Sequence, residues 1–302
     1  MDSFYKMVDV QTVLFIYMVV GYYCRKSQIF NDVARDKLTD LVIKITLPCM
    51  IFESFNMPFS LDTLKQGGQA LIIATGMACV ALLLGKVLYN GFRPEEKSIL
   101  QYGTLVSNSG FAGLPVVSGA YGDEGLFLGS LFIIPTRILM WSAGISLFTR
   151  ADAKDAFKKV MLNPAIIAVE IGIVRMVLQI PLPHFVDSAV DNLGACTSPL
   201  AMALVGAILA DVPIRSVFDP KTFYLVAVRQ ILLPVLCLAA LKLLHMDPLT
   251  IGVSVALTGM PIGSTTAILA QKYGADAQFA SKCVFISTLT SLVTVPILTL
   301  FL

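Results

Sequence analysis

Asn108-Ser109-Gly110-Phe111-Ala112-Gly113-Leu114-Pro115 lies inside an apolar span, where helix formers are expected, yet it carries two glycines and a proline. Proline lacks a backbone donor and clashes with the turn before it, and glycine is entropically poor in a helix. In hydrocarbon a broken helix leaves backbone groups without water. It survives only where protein buries it or where it lines a cavity. A second stretch of the same kind follows far downstream, Gly259-Met260-Pro261-Ile262-Gly263-Ser264-Thr265-Thr266. One such segment alone reads as an ordinary packing kink. Two, in corresponding places of two halves, point to a binding site near the bilayer midplane.

The surrounding chain makes the membrane setting plain. Its 302 residues are 56% hydrophobic and 14% charged, with a mean hydropathy of +0.80. Soluble domains carry about 25% charged residues, so this is an all-α integral membrane protein with hardly any soluble mass. A net charge of +2 says nothing about nucleic acid. Cys24, Cys49, Cys79, Cys196, Cys237 and Cys283 are scattered singly and read as small buried hydrophobes. A span needs roughly 20 apolar residues. Ten are expected, at about 8–24, 36–55, 66–90, 97–119, 124–149, 162–180, 185–210, 220–244, 248–271 and 276–301. The first is expected to be a span rather than a signal peptide, because no small-residue cleavage site follows it and the repeat needs it.

The halves repeat. Gly21 and Gly172 are 151 positions apart, as are Pro48 and Pro199. Ala120-Tyr121-Gly122-Asp123 matches Lys272-Tyr273-Gly274-Ala275 at an offset of 152, and Pro94 and Pro248 both precede the fourth span of their half. The division is an N-terminal five-helix repeat over 1–150, a linker over 151–161 and a C-terminal five-helix repeat over 162–302. Five is odd, so the two repeats insert with opposite orientation. Arg25, Lys26, Arg35, Lys37, Lys86, Arg93, Lys97, Arg150, Lys154, Lys158, Lys159, Arg215, Lys221 and Lys272 fall on one side, against Lys6, Lys65 and Lys242 on the other. The first side is therefore expected to be cytoplasmic, the linker with it, and both termini outside.

Ionisable residues inside a membrane are functional suspects. At helical rise Asn108 lies roughly 16 Å from the cytoplasmic start of its span, Pro261 about 20 Å from the outer start of its own, and Arg137 about 18 Å from the inner end of the fifth span. All three converge on the midplane. Arg137 offers a planar fork of donors suited to a carboxylate; the alternative is a structural tie to a helix carbonyl end or a cavity water. Arg229, before Pro234, either binds or ties helices together. Lys282 is six residues into its span and snorkels. Lys44 pairs with Asp40 four residues earlier. Glu170 and Arg175 occupy different helix faces, and Glu170, the deeper, is the candidate for proton or sodium coupling. No cofactor and no metal site is expected. His184 and His245 sit in loops without H-E-x-x-H, and neither G-x-S-x-G nor a phosphate-cradling glycine loop occurs, so no enzyme is expected.

Asn108-Ser-Gly-Phe-Ala-Gly-Leu-Pro115 followed by Ala120-Tyr-Gly-Asp-Glu-Gly125 resembles the fourth span of the auxin efflux carrier family. Met260-Pro-Ile-Gly-Ser-Thr-Thr-Ala-Ile-Leu-Ala270 with Tyr273-Gly-Ala-Asp276 resembles its ninth, Arg229 with Pro234 its eighth, and the Ser287 to Pro296 run its last. The resemblance covers essentially the whole chain. It implies two inverted five-helix repeats, related to bile-acid sodium symporters, with broken helices 4 and 9 crossing at Pro115 and Pro261. It further implies a scaffold (spans 1, 2, 6 and 7) against which a transport domain (spans 3–5 and 8–10) moves as an elevator, and pairing of two copies through the scaffold. The long hydrophilic loop of plant members is absent. The chain resembles the compact bacterial type, which includes malate and malonate permeases. A small mono- or dicarboxylate is thus the expected substrate, with an auxin-like aromatic carboxylate as the alternative and a channel or receptor as the rival class. The expected binding residues are Asn108, Ser109, Gly110, Gly113, Pro115, Arg137, Arg229, Pro261, Gly263, Ser264 and Thr265.

Overall fold

Apolar runs become helices wherever proline and glycine permit. The structure, a computed structural model, describes residues 2–148, 158, 161–211 and 218–301. Most of the expected linker 151–161, with Arg150, Lys154 and Lys159, lies outside the described residues, as does Arg215. The helices are α1 (Asp2–Lys26), α2 (Asp32–Leu41), α3 (Leu47–Glu53), α4 (Leu61–Leu88), α5 (Pro94–Leu105), α6 (Leu114–Leu139), α7 (Pro164–Leu178), α8 (His184–Ala195), α9 (Thr197–Ala210), α10 (Pro220–Val226), α11 (Leu233–Leu243), α12 (Pro248–Thr258), α13 (Thr265–Lys272) and α14 (Ala277–Thr299). Among the described residues there is no strand, only one isolated bridge.

Among the described residues, four short π-helical segments interrupt the rods: Val42–Thr46, Ser109–Gly113, Met140–Gly144 and Ala227–Leu232. Three of them run directly into a helix with proline in its first turn, Pro48, Pro115 and Pro234. A proline has no N–H to give and its ring crowds the carbonyl four residues back; a widened turn relieves both. This corrects the expectation for Pro115. It sits just inside α6, after the widened turn, and the chain breaks earlier, at Val106–Asn108. Pro261 does lie in the second break.

Six helices among the described residues are long and apolar enough to cross a membrane: Met7–Lys26, Leu61–Leu88, Ser109–Gly144, His184–Ala210, Pro220–Leu243 and Ala277–Thr299. The third is not one rod. Gly122 takes φ 66° and ψ −154°, and a Cβ built on Gly129 would lie 3.0 Å from side-chain atoms of Leu114 and Val117. Residues 12 to 15 apart in a straight helix are about 18 to 22 Å apart along its axis. The chain therefore folds back at Gly122, between the fourth and fifth expected spans.

Helices in lipid gain little from apolar burial against one another and associate through close packing. α1 lies along α9 at backbone contact. A Cβ on Gly21 would fall 1.9 Å from the Ala203 carbonyl oxygen, and one on Gly206 1.9 Å from that of Met18. α3 packs on α7 and α8, and α4 on α6. α12 packs on α6 and α11, and α14 on α10, α13 and α1.

Candidate functional site at the meeting of two helix breaks

The first break leaves Val106 extended and Asn108 at φ −81°, ψ 39°. The second separates α12 from α13 over residues 259–264. The two interruptions pair with each other. Ser107 faces Ile262 in an antiparallel bridge; Asn108 N–H donates to the Pro261 carbonyl at 2.8 Å, and Gly263 N–H to the Val106 carbonyl at 2.9 Å. Pro261 can only accept, which is the role it has. Ile262 N–H donates to Ser287 Oγ at 3.3 Å, and the Asn108 carbonyl accepts from Ala112 and Gly113 at 2.9 and 3.2 Å. Backbone groups that lipid would leave unpaired thus find partners at a buried crossing, where Ile262 is 0% exposed.

What the backbone satisfies, several side chains do not. The buried Asn108 amide has no hydrogen-bond partner among the described residues. Arg137, half-buried on α6, lays its guanidinium on Gly110: a Cβ there would lie 2.3 Å from Nη2. Its Nη1 reaches the Met140 sulfur at 3.7 Å, and no described carboxylate pairs with it. Glycine at 110 is what admits the cation to the break. Arg229 is buried, and its Nε has no hydrogen-bond partner among the described residues. It lines a cavity of about 20 Å³ with Ser107, Thr136 and Thr258, roughly the room one water needs. Tyr102 O–H and Thr265 Oγ1 hydrogen-bond at 3.0 Å across the two halves, and the Tyr102 ring meets that of Phe148 edge-on.

Asn108, Ser109, Gly110, Arg137, Pro261, Gly263, Ser264 and Thr265 therefore gather at the crossing or touch it directly. Arg229 approaches from the side of Ser107. Gly113 is a packing position instead: a Cβ there would meet Leu257 at 2.7 Å and Met260 at 3.1 Å. Pro115 is buried behind the widened turn and lines none of the cavities described. Glu170 faces outward among exposed Ile167, Ile171 and Val174 and lines none of them either. Arg175 is the buried member of that pair, held by Glu53 at 3.2 Å and Asp187 at 2.5 Å.

Sequence reasoning missed Ser107, whose hydroxyl bonds that of Ser109, and Tyr102. It also missed a polar tie in which Gln230 Nε2 donates to the Ser287 carbonyl at 2.7 Å and Gln230 Oε1 accepts from Thr290. A second cavity of about 20 Å³ touches Pro261 from the α1 side, with Gln11, Thr288 and Ser291 in its wall. Hydroxyls and amides are cheap enough in a helix to leave no mark in an apolar span; only their coincidence with the breaks could have flagged them.

The sequence model of the family described as membrane transport protein matches residues 6–159 and 149–299. An uncharacterized transporter of Methanocaldococcus jannaschii is 26% identical over 302 residues, covering 95% of this chain and 96% of its own. One from Methanothermobacter thermautotrophicus is 24% identical, with 96% and 97% covered. A Rhizobium meliloti protein named "Putative malonate transporter" is 23% identical over 283 residues, with 85% and 84% covered.

Proposed function

The chain belongs to the membrane transport protein family, the auxin efflux carrier family of the sequence analysis, and from that premise we propose that it is a secondary carrier of a small organic anion, a mono- or dicarboxylate such as malonate or malate. The observation that carries this is the pair of arginines, Arg137 and Arg229, set beside a paired helix break with no carboxylate partner among the described residues. An uncompensated cation in the membrane interior is costly. A substrate carboxylate supplies the missing charge, and the free Asn108 amide and the Thr265 hydroxyl supply neutral hydrogen bonds beside it. The named Rhizobium meliloti relative supports malonate as the first compound to try.

The architecture proposed with it is ten spans in two inverted five-helix repeats. The fold-back at Gly122 supports it, as does the pairing of like breaks from each half. α1–α3 and α7–α9 form the scaffold, and the remaining helices slide along it as an elevator. The cavity walled by α1 on one side and Pro261 on the other supports that plane of movement. Counterflow in proteoliposomes tests the reading. Internal unlabelled malonate should accelerate uptake of labelled malonate. Uptake indifferent to the trans side would speak for a channel, and failure of every small carboxylate tried would end the anion-carrier reading.

A further inference from the structure

A chamber of about 440 Å³ opens beside the second break, walled by Arg35 and Asp211 on one side and Ser264, Gln278, Ser281 and Lys282 on the other. Its first wall comes from the ends of the scaffold helices and its second from α14 and the residue that precedes α13. Ser264 belongs to the break itself, so the chamber reaches the crossing.

The charges in this chamber are unevenly matched. Asp211 is taken by Arg25 Nε at 2.7 Å and by Arg35 Nη1 at 2.9 Å. Arg25 also holds Asp32 at 2.8 Å, and Arg35 faces Asp32 and Asp36 at 3.6 and 3.5 Å. Lys282, half-buried, has no ion pair and no side-chain hydrogen bond with any described residue. The snorkelling that its sequence position predicts carries it into this chamber. Of the charged side chains that line the chamber, Arg35 and Asp211 pair with each other, which leaves Lys282 as the uncompensated cation of the opposite wall. Around it stand neutral donors: the amide of Gln278 and the hydroxyls of Ser264 and Ser281.

We propose that this chamber is an anteroom for small carboxylates on their way to the crossing, and that Lys282 is the cation that receives them. The proposal rests on the carrier reading for its ligand, but not for its charge or its water. A chamber with low-dielectric walls and one unmatched positive charge concentrates small anions and excludes cations. Lys282 is a positioning residue for the carried anion, one step ahead of Arg137.

The test places a thiol at Ser281, whose hydroxyl bonds only its own helix, at the Ala277 carbonyl. Ser281→Cys protein in membranes is treated with an anionic (sulfonatoethyl) or a cationic (trimethylammonioethyl) methanethiosulfonate, and modification of that peptide is followed by mass spectrometry, so the native cysteines stay in place. Both reagents should react. The anionic-to-cationic rate ratio, normalised to a free small thiol, should exceed one several-fold, and Lys282→Gln should return it to about one, as should high salt. An unreactive thiol in the Ser281→Cys protein, or a ratio that Lys282→Gln leaves unchanged, overturns the proposal. In counterflow, Lys282→Gln should raise the half-saturation for malonate several-fold with the unliganded melting temperature unchanged. If malonate is not carried at all, the carrier reading falls while the labelling still decides the chamber.

Discussion

Arg137 and Asn108 meet the same break and should fail differently. Arg137 lies against the Gly110 backbone with the Met140 sulfur as its one hydrogen-bond partner among the described residues. If it meets a carboxylate, its fork does so bidentately, and lysine cannot reproduce that. Arg137→Lys should cost malonate binding roughly tenfold, as expected for one charge-assisted hydrogen bond of about 1.5 kcal/mol, and Arg137→Gln more. Neither should lower the melting temperature of the unliganded protein, and a neutral diamide analogue should be indifferent to both. Early melting with equal loss for charged and neutral ligands would make Arg137 structural. Asn108→Ala should weaken binding by about 1 kcal/mol, one neutral hydrogen bond, without misfolding, because Asn108 bonds Pro261, Ala112 and Gly113 through its backbone, which alanine keeps. Thermal-shift titration reads both series, and unchanged affinity in Asn108→Ala would remove the amide from the site. At this scale the sequence was informative about charge and about the hydroxyls inside the two motifs, and blind to those outside them. An arginine twelve residues into an apolar span announces itself, whereas Ser107 and Tyr102 look like ordinary helix surface.

Elements were legible where glycine and proline punctuate them, with one systematic displacement. Pro115 suggested a break at its own position, and the break lies at Val106–Asn108. A proline near the start of a helix needs only a widened turn before it, as at Pro48 and Pro234. The actual break falls where a partner backbone is available to pair with it, and that partner, Ile262 opposite Ser107, is 155 residues away in Pro261–Gly263. No local pattern reveals such a pairing. Helix contacts, by contrast, could be read from small residues once the repeat was seen. Gly21 and Gly206 allow α1 and α9 to touch backbone to backbone, and a side chain at either runs into a carbonyl oxygen rather than a movable side chain. Gly206→Val should therefore force the helices apart and lower the melting temperature by several degrees. Gly68→Val, where a Cβ meets nothing within 4 Å, should cost only helix propensity, a few tenths of a kcal/mol in either direction. Equal losses for the two would mean that α1 and α9 are not in contact in the folded protein.

Across the whole molecule, landmarks at a constant spacing carry the repeat further than composition could. Gln28 and Gln179, 151 positions apart, both take positive φ after the first helix of their half, at 63° and 49°. Gly122 and Gly274, 152 apart, do the same at 66° and 75°. Left-handed backbone is rare outside glycine, so its recurrence at two matched glutamines marks the same turn built twice. The ion pairs repeat as well. Arg25 at the end of α1 bridges Asp32 at the start of α2 and Asp211 after α9. Arg175 near the end of α7 bridges Asp187 at the start of α8 and Glu53 at the end of α3. Each arginine closes the first helix of one half onto its second helix and onto the second helix of the other half. The inverted repeat proposed above would set the two clamps at opposite membrane faces. Cysteines at the exposed Leu61 and Phe218, on the outer and inner side of the proposed topology, should then label without and only with permeabilisation; the reverse order would invert the protein. Sequence reading had separated Arg175 from Glu170 by helix face but could not find its partners, which lie 122 and 12 positions away. The clamps differ in burial, and that sets the last prediction. Side-chain exposure is 7% for Arg175, 21% for Glu53 and 36% for Asp187. In the other clamp Arg25 is 16% exposed but Asp32 is 71% and Asp211 39%. Breaking a buried pair strands a charge and costs about 3–5 kcal/mol, while exposed pairs are worth about 0.2–1 kcal/mol. Arg175→Gln should thus lower the melting temperature of the purified protein much more than Arg25→Gln. The triple change Arg175→Gln, Glu53→Gln, Asp187→Asn should recover part of the loss, because the stranded carboxylates go with the arginine. If Arg25→Gln proves as damaging as Arg175→Gln, or if the triple change is worse than the single one, burial does not govern the clamps and the scaffold is held by its helix packing alone.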